Sequence, residues 1–391
     1  MNAEKIKEQP KIRKETKKKI KVDFERTPLK ERLKAKFLSG FFWKKVAWWV
    51  VRYVLLVGVA YVVLFPFVSK ISGSFMDKMD LLDAQVRLVP KNFTTKIYKE
   101  LWIERDYLEA FGNTLMLSGI TAIIQTFVCS FIAYGFAKFK FKGSKLLFAL
   151  VLLTMIIPHR TIGSAMQLAF KNFDLFGIFG FLEGGGINFL GLKFNNEALS
   201  AINVFPDKTI GDINFRDMFT ADGINLLNTY FPFILLSLTG LAFKNGLYIF
   251  LLRQFFMGVP DELEESAYID GSGVFRTFFT IILPISIPMM ITVFLFSFSW
   301  CWTDNFYTGG TMFFVSETKA PYLLTTFITK VQASPPVTLL PSNSGFQKIA
   351  EYQAAINNTA GLMTIAPLVV MYMFCQKYLV QGIERSGLTA D

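Results

Sequence analysis

The chain has 391 residues, 52% of them apolar and 16% aromatic, with a positive mean hydropathy of +0.39. That is too apolar for an ordinary soluble protein and points to membrane insertion. Its net charge is +11, and it holds one histidine and three cysteines with no CxxC spacing, which leaves little material for a metal centre, a redox site or a Ser-His-Asp relay.

Residues 1–45 carry 16 Lys/Arg against 6 Asp/Glu, nearly the whole excess charge of the chain. Such a segment resists translocation and is predicted to be a cytoplasmic extension, attracted to anionic lipid rather than to nucleic acid. It has no short apolar core followed by a small-residue cleavage site, so it does not read as a signal peptide. After Thr27-Pro28, residues Leu29, Leu33 and Phe37 recur at near-helical spacing among basic residues, which predicts an interfacial helix leading to Phe41-Phe42-Trp43.

A spanning helix needs about 20 apolar residues. Six spans are predicted: 46–68, 113–137, 146–170, 229–252, 281–303 and 359–380. The first contains Arg52, and the third contains His159 and Arg160 beside Pro158. The loops between them are assigned by charge. The lysine-rich turn from Lys138 to Lys145 belongs inside, and the segments 69–112 and 171–228, balanced or acidic, belong outside, as does 304–358. The stretch 177–225, with its Gly184-Gly185-Gly186 run, reads as an insertion able to form a small cap or hairpins. Both ends, including the tail 381–391, then lie in the cytoplasm of a prokaryotic cell. The fold class expected is all-α and integral to the membrane.

The loop 253–280 carries the most specific pattern. Pro260 followed by acidic residues opens a helix, because proline needs no partner for a missing N–H there and acids suit the positive end of the dipole. Gly271 and Gly273 break it, and Leu283-Pro284 marks entry to the next span. A short bent pair of helices, anchored in lipid at both ends, can receive a push.

This stretch resembles the coupling loop of ABC-importer permeases, written EAA, three residues, G, nine residues, I-x-L-P. Glu265, Ala267, Gly271, Ile281, Leu283 and Pro284 match, and Ser266 replaces the first alanine. Glu264 and Asp270 belong to the same loop. The resemblance extends to the carbohydrate-uptake, maltose-type permeases through Val89-Pro90-Lys91-Asn92-Phe93, Asn113-Thr114-Leu115, Ala133-Tyr134-Gly135-Phe136-Ala137 and Leu251-Leu252-Arg253-Gln254-Phe255-Phe256. It implies a six-helix type I permease with a cytoplasmic coupling helix. It implies also a second homologous permease, two ATPase subunits and an extracytoplasmic sugar-binding protein as partners. No Walker lysine is present, so ATP and Mg fall to the partner ATPase and this chain needs no cofactor, metal or catalytic residue.

Polar groups inside spans are expensive and mark paths, so Gln125, Gln167, Lys244 and Asn245 are candidates to line one, with Arg160 beside them. Lys244 could equally snorkel or pair with an acid of the companion permease. Trp300, Trp302, Asp304 and Asn305 combine aromatic faces with hydrogen-bonding groups, as sugar sites do. Tryptophan also belongs at membrane interfaces for physical reasons alone, and that reading takes precedence. A cargo of glycerol phosphate, lipid-linked sugar or amino acid is the first alternative, and a membrane-embedded glycosyltransferase the second.

Overall fold

The structure, a computed structural model, describes residues 40–174, six short strand segments within 187–224, and residues 225–242, 244–310, 312–316, 318–336, 339 and 346–385. The interfacial helix predicted around Leu29 and Phe37 lies outside these residues, as does the end of the tail 381–391.

The chain divides into two units, residues 1–67 and 68–391. In the first, the helix α1 (Gly40–Ser74) begins; it runs without a break through Pro66 near its end. Arg52 lies over the Trp48 ring at 5.3 Å.

In the second unit, α2 (Lys78–Leu82) and α3 (Lys96–Glu104) lead to α4 (Tyr107–Lys138). Next come α5 (Ser144–Ile156) and α6 (His159–Lys171), three two-stranded hairpins (β1–β6, within 187–224), α7 (Phe231–Leu238) and α8 (Asn245–Met257). The cytoplasmic loop expected from sequence contributes α9 (Glu262–Ile269) and α10 (Val274–Thr277). A π turn (Phe278–Ile282), α11 (Leu283–Ile285) and α12 (Ile287–Trp302) complete the run, and α13 (Leu324–Ala333) and α14 (Phe346–Arg385) end the chain. The fold is helical apart from the hairpins, which fall in the predicted insertion.

Helix α4 is the post of this unit. Helices α7, α8, α12 and α13 pack on it, and α12 packs in turn on α14. Its buried face includes many small residues, Ala110, Ser118, Ala122, Cys129, Ser130 and Ala133, which let neighbouring backbones approach closely, beside the larger Tyr107, Leu117, Gln125 and Tyr134. The hydroxyls of Thr114, Thr121, Thr126 and Ser130 each donate to the carbonyl one turn back, at 2.6–2.7 Å, and so are satisfied within the helix.

Several of the elements around it are broken. Helices α5 and α6 meet at 100° across Ile157-Pro158, and the run 274–285 meets α12 at 79°. Pro284 and Pro288 remove two backbone donors there, and the π turn just before them is the local accommodation. Among the described residues α1, α4 and α14 are each long and apolar enough to cross a membrane, and counting each bent pair as one gives five. The sixth expected span, 229–252, is not a continuous helix. It is split into α7 and α8 by a turn in which Gly240 and Lys244 adopt left-handed conformations, φ +74° and +69°.

Helix α14 contains Pro367, whose missing N–H leaves the Met363 carbonyl without its partner in the helix. Tyr107 supplies the replacement by donating its hydroxyl to that carbonyl at 2.9 Å, and Trp302 Nε1 donates to the next one, Thr364 O, at 2.9 Å. Tyr107→Phe therefore strands a buried carbonyl and should cost about 1–3 kcal/mol. In a double-mutant cycle read by thermal unfolding of the purified protein, Pro367→Ala should cancel most of that cost. Additive losses would show that the hydroxyl does not serve the proline break.

Candidate functional site

The coupling-loop residues form one compact feature. Helix α9 opens with Glu262, Glu264 and Glu265 in its first turn, at the positive end of its dipole. It closes with paired bonds, Gly271 N–H to Tyr268 O at 3.0 Å and Ser272 N–H to Ala267 O at 2.9 Å. This closure requires a left-handed residue at 271, and Gly271 takes φ +81° with open space around it. The glycine is there for its backbone, not for a contact.

One face of α9 is buried, through Glu264 and Ala267; Glu265, Ser266, Asp270 and Gly271 are exposed. The exposed side also bears large apolar groups, with Ile269 at 86% exposure and Phe275 at 65%. Ile281 and Leu283 pack, partly buried, on the cluster formed by Tyr134, Phe256 and Phe278, and Pro284 is exposed.

The buried face is tied to the end of α4. Lys138 Nζ donates to Val259 O and to Asp261 Oδ1, both at 2.6 Å, and lies 3.6 Å from Glu264 Oε1. The last of these is an ion pair without a hydrogen bond, and Oε1 has no hydrogen-bond partner among the described residues. Tyr134 Oη donates to the other Glu264 oxygen at 3.4 Å. The Lys138 side chain is only 6% exposed, so its charge depends on these acceptors. Its hydrogen bond, and then its charge, hold the Asp261 carboxyl below the usual carboxylate range. Sequence reading placed Lys138 in a basic turn; it is instead the buried last residue of a span, a position where an unpaired lysine is expensive.

The candidate path residues separate. Gln125, Trp300 and Asp304 line one narrow cavity of about 40 Å³, with Tyr248, Ser297 and Tyr307. Gln125 is held there by Ser297, which donates to Oε1 at 2.6 Å, and by its own donation to Ser237 at 3.2 Å. Lys244 lines a neighbouring cavity of about 110 Å³ together with His159. Ala242 belongs to both walls, and Lys244 Nζ sits 4.6 Å from the centre of the Trp300 ring.

Gln167 lies instead in a separate cleft of about 580 Å³ with Lys171, Asn225, Asn228 and Ser316. Asn245 is buried in the first turn of α8 and lines neither cavity. Trp302 is fully buried in the core, its indole N–H spent on Thr364, so it serves neither a path nor a membrane interface. Asn305 is exposed, and Arg160 lies over Phe306 at 6.0 Å.

Asp304 ends α12 as a loop anchor. Its carboxylate accepts the backbone N–H groups of Phe306, Tyr307 and Thr308 at 3.0–3.3 Å. Burial nevertheless pushes its pKa up to about 6, the desolvation outweighing those three donors. Tyr248, Ser237, Ser297 and His159 were not singled out from sequence. The serines and the tyrosine look ordinary in an apolar span, and only packing shows that they converge on Gln125.

No protein-family model matches the chain. Curated relatives do. The galactooligosaccharides transport system permease protein GanQ of Bacillus subtilis (strain 168) is 26% identical over 86% of this chain and 93% of its own length. The probable starch degradation products transport system permease protein AmyC of Thermoanaerobacterium thermosulfurigenes is 25% identical over 81% and 89%. The melibiose/raffinose/stachyose import permease protein MelC of Bacillus subtilis (strain 168) is 24% identical over 83% and 90%. A chain in the crystal structure of a bacterial ABC transporter that imports the acidic polysaccharide alginate shares the fold, with a TM-score of 0.56 over 86% of this chain and 97% of that one, at 18% identity. Similarity in sequence and in fold to carbohydrate-uptake permeases of ABC transporters thus spans most of the molecule.

Proposed function

We propose that this chain is one of two permease subunits of a binding-protein-dependent importer that carries a sugar or oligosaccharide into the cell. In this reading both termini face the cytoplasm, α9 is the coupling helix, and a partner ATPase binds and hydrolyses the nucleotide. The carrying observation is the attachment of α9. A short helix with an exposed apolar rim is fixed through Lys138 to the end of the post, α4, and ended by a glycine turn.

Ile269 and Phe275 offer apolar area for a cleft on a soluble partner, of the kind that a monomer seldom leaves uncovered. Displacement of α9 is passed to α4 because a buried lysine joined to Asp261, Glu264 and Val259 O cannot slide without losing all three. Helix α4 then carries the movement to α7, α8 and α12, whose side chains line the polar cavities. Alternating access follows when the packed helices have two arrangements rather than a continuum.

The docking half is tested by cross-linking. A cysteine at Glu265 should capture a nucleotide-hydrolysing subunit in native membranes, and Ile269→Asp should abolish that capture. Labelling of residue 265 from outside intact cells, or capture of no ATPase, would overturn the assignment.

The transmission half is tested by coupling. Lys138→Met should lower uptake about tenfold, roughly 1.4 kcal/mol of coupling, while the assembled complex keeps its ATPase. Lys138→Arg should restore most of it. At Gly271 an L side chain costs about 1–2 kcal/mol in the left-handed region, so Gly271→Val should uncouple transport more than Gly271→Asn does. Parallel loss of uptake and ATPase would indicate simple destabilisation instead.

A further inference from the structure

The cavity beside Gln125 holds a polar group that the fold leaves unmatched. Tyr248, in the first turn of α8, lines this cavity of about 40 Å³ and is fully buried. Its hydroxyl has no hydrogen-bond partner among the described residues. Three positions earlier on the same helix, Asn245 is buried as well, with both side-chain amide atoms unpartnered among those residues. A buried hydroxyl without a partner is rare and costly, and a molecule in the cavity that it lines can recover the cost.

The other polar groups of this wall are largely committed. Gln125 Oε1 accepts from Ser297 at 2.6 Å and Nε2 donates to Ser237 at 3.2 Å, which fixes the amide and leaves it one N–H and one lone pair. Thr121 donates to Leu117 O at 2.6 Å, and the Asp304 carboxylate accepts three backbone N–H groups. Phe233, Leu236 and Phe313 make much of the remaining surface apolar, and among the described residues no Lys or Arg lines the cavity. An anion would meet Asp304 there without a counter-charge, which favours an uncharged occupant. The volume admits about two or three water-sized groups, too little for a hexose ring.

We infer that this cavity is a notch that reads one exocyclic hydroxymethyl group of an uncharged sugar, with Tyr248 as the residue that selects it. This rests on the reading of the chain as a sugar permease. A hydroxymethyl group brings what the wall lacks. Its oxygen accepts from Tyr248, its proton goes to the free lone pair of Gln125 or to Ser297, and its methylene meets the apolar side of the notch. The ring stays outside, in the wider path. A sugar with a methyl group or hydrogen in that place leaves Tyr248 unmatched, and a site built to bond a hydroxyl rejects the analogue without it. Water is the competing occupant, and it would fill the notch without distinguishing one sugar from another.

The test uses the complete transporter in proteoliposomes, with its own binding protein saturated by each sugar. The probes are 1→4-linked gluco-, galacto- and manno-oligosaccharides, each compared with the same oligosaccharide in which every 6-hydroxyl is replaced by hydrogen. The series that is carried should be taken up about tenfold faster than its 6-deoxy counterpart, and Tyr248→Phe should bring that ratio close to one. The ratio is internally controlled, so a variant that assembles poorly does not imitate the effect, and the unsubstituted protein decides without any variant. Thermal unfolding separates recognition from structure. Without cargo, Tyr248→Phe removes a hydroxyl that bonds nothing, so the purified transporter should unfold at the same temperature or higher. A lower unfolding temperature would reveal a structural partner for the hydroxyl and overturn the inference. Equal uptake of parent and 6-deoxy sugar, or a ratio unmoved by Tyr248→Phe, leaves the notch to water and overturns it too, with the sugar permease intact. Failure of every saccharide overturns the permease reading itself.

Discussion

A backbone carbonyl or amide without a partner inside hydrocarbon costs several kcal/mol, so a chain can bend within a membrane only where something else makes the missing bond. Pro367 creates such a gap in α14, and Tyr107 fills it from the first turn of α4. Trp302 bonds the adjacent carbonyl from the last turn of α12. Three helices are thereby registered at one level, around a proline that alone would only weaken one of them.

The same constraint separates the parts that hold from the parts that move. Helix α4 runs 32 residues with no proline, and the hydroxyls of Thr114, Thr121, Thr126 and Ser130 bond its own carbonyls, so it is uninterrupted. Around it α5–α6, α7–α8 and the run into α12 are all interrupted. An uninterrupted post is thus surrounded by jointed helices, and in the proposed reading force delivered at Lys138 is passed along α4 to those joints. The cavities lie at those joints, lined from α4, α8 and α12 together.

The feature around α9 is held in a different way. Its precision comes from one glycine, Gly271, which supplies a backbone conformation, and one lysine, Lys138, which supplies a charge to an otherwise buried Glu264. Neither is an unusual residue by composition. Their effect depends on the small, exact distances that tie them to α9.

The amino-acid sequence alone pointed to a helical membrane protein, located the long apolar stretches, and marked the loop 253–280 as the candidate for coupling to a motor. Those features are local: hydropathy over a window of about 20 residues and the glycine and proline that stop a helix are written in consecutive positions. The tertiary structure decided the rest, because it depends on residues far apart in the chain. Split α7 and α8 look like one span in hydropathy, since the residues of the break are mostly apolar or small and only Lys244 interrupts them. Trp302 reads as an interface residue until packing buries it on α14. Gln125 lies 112 positions from Ser237 and 172 from Ser297, and only the folding of α7 and α12 onto α4 makes them a single polar wall.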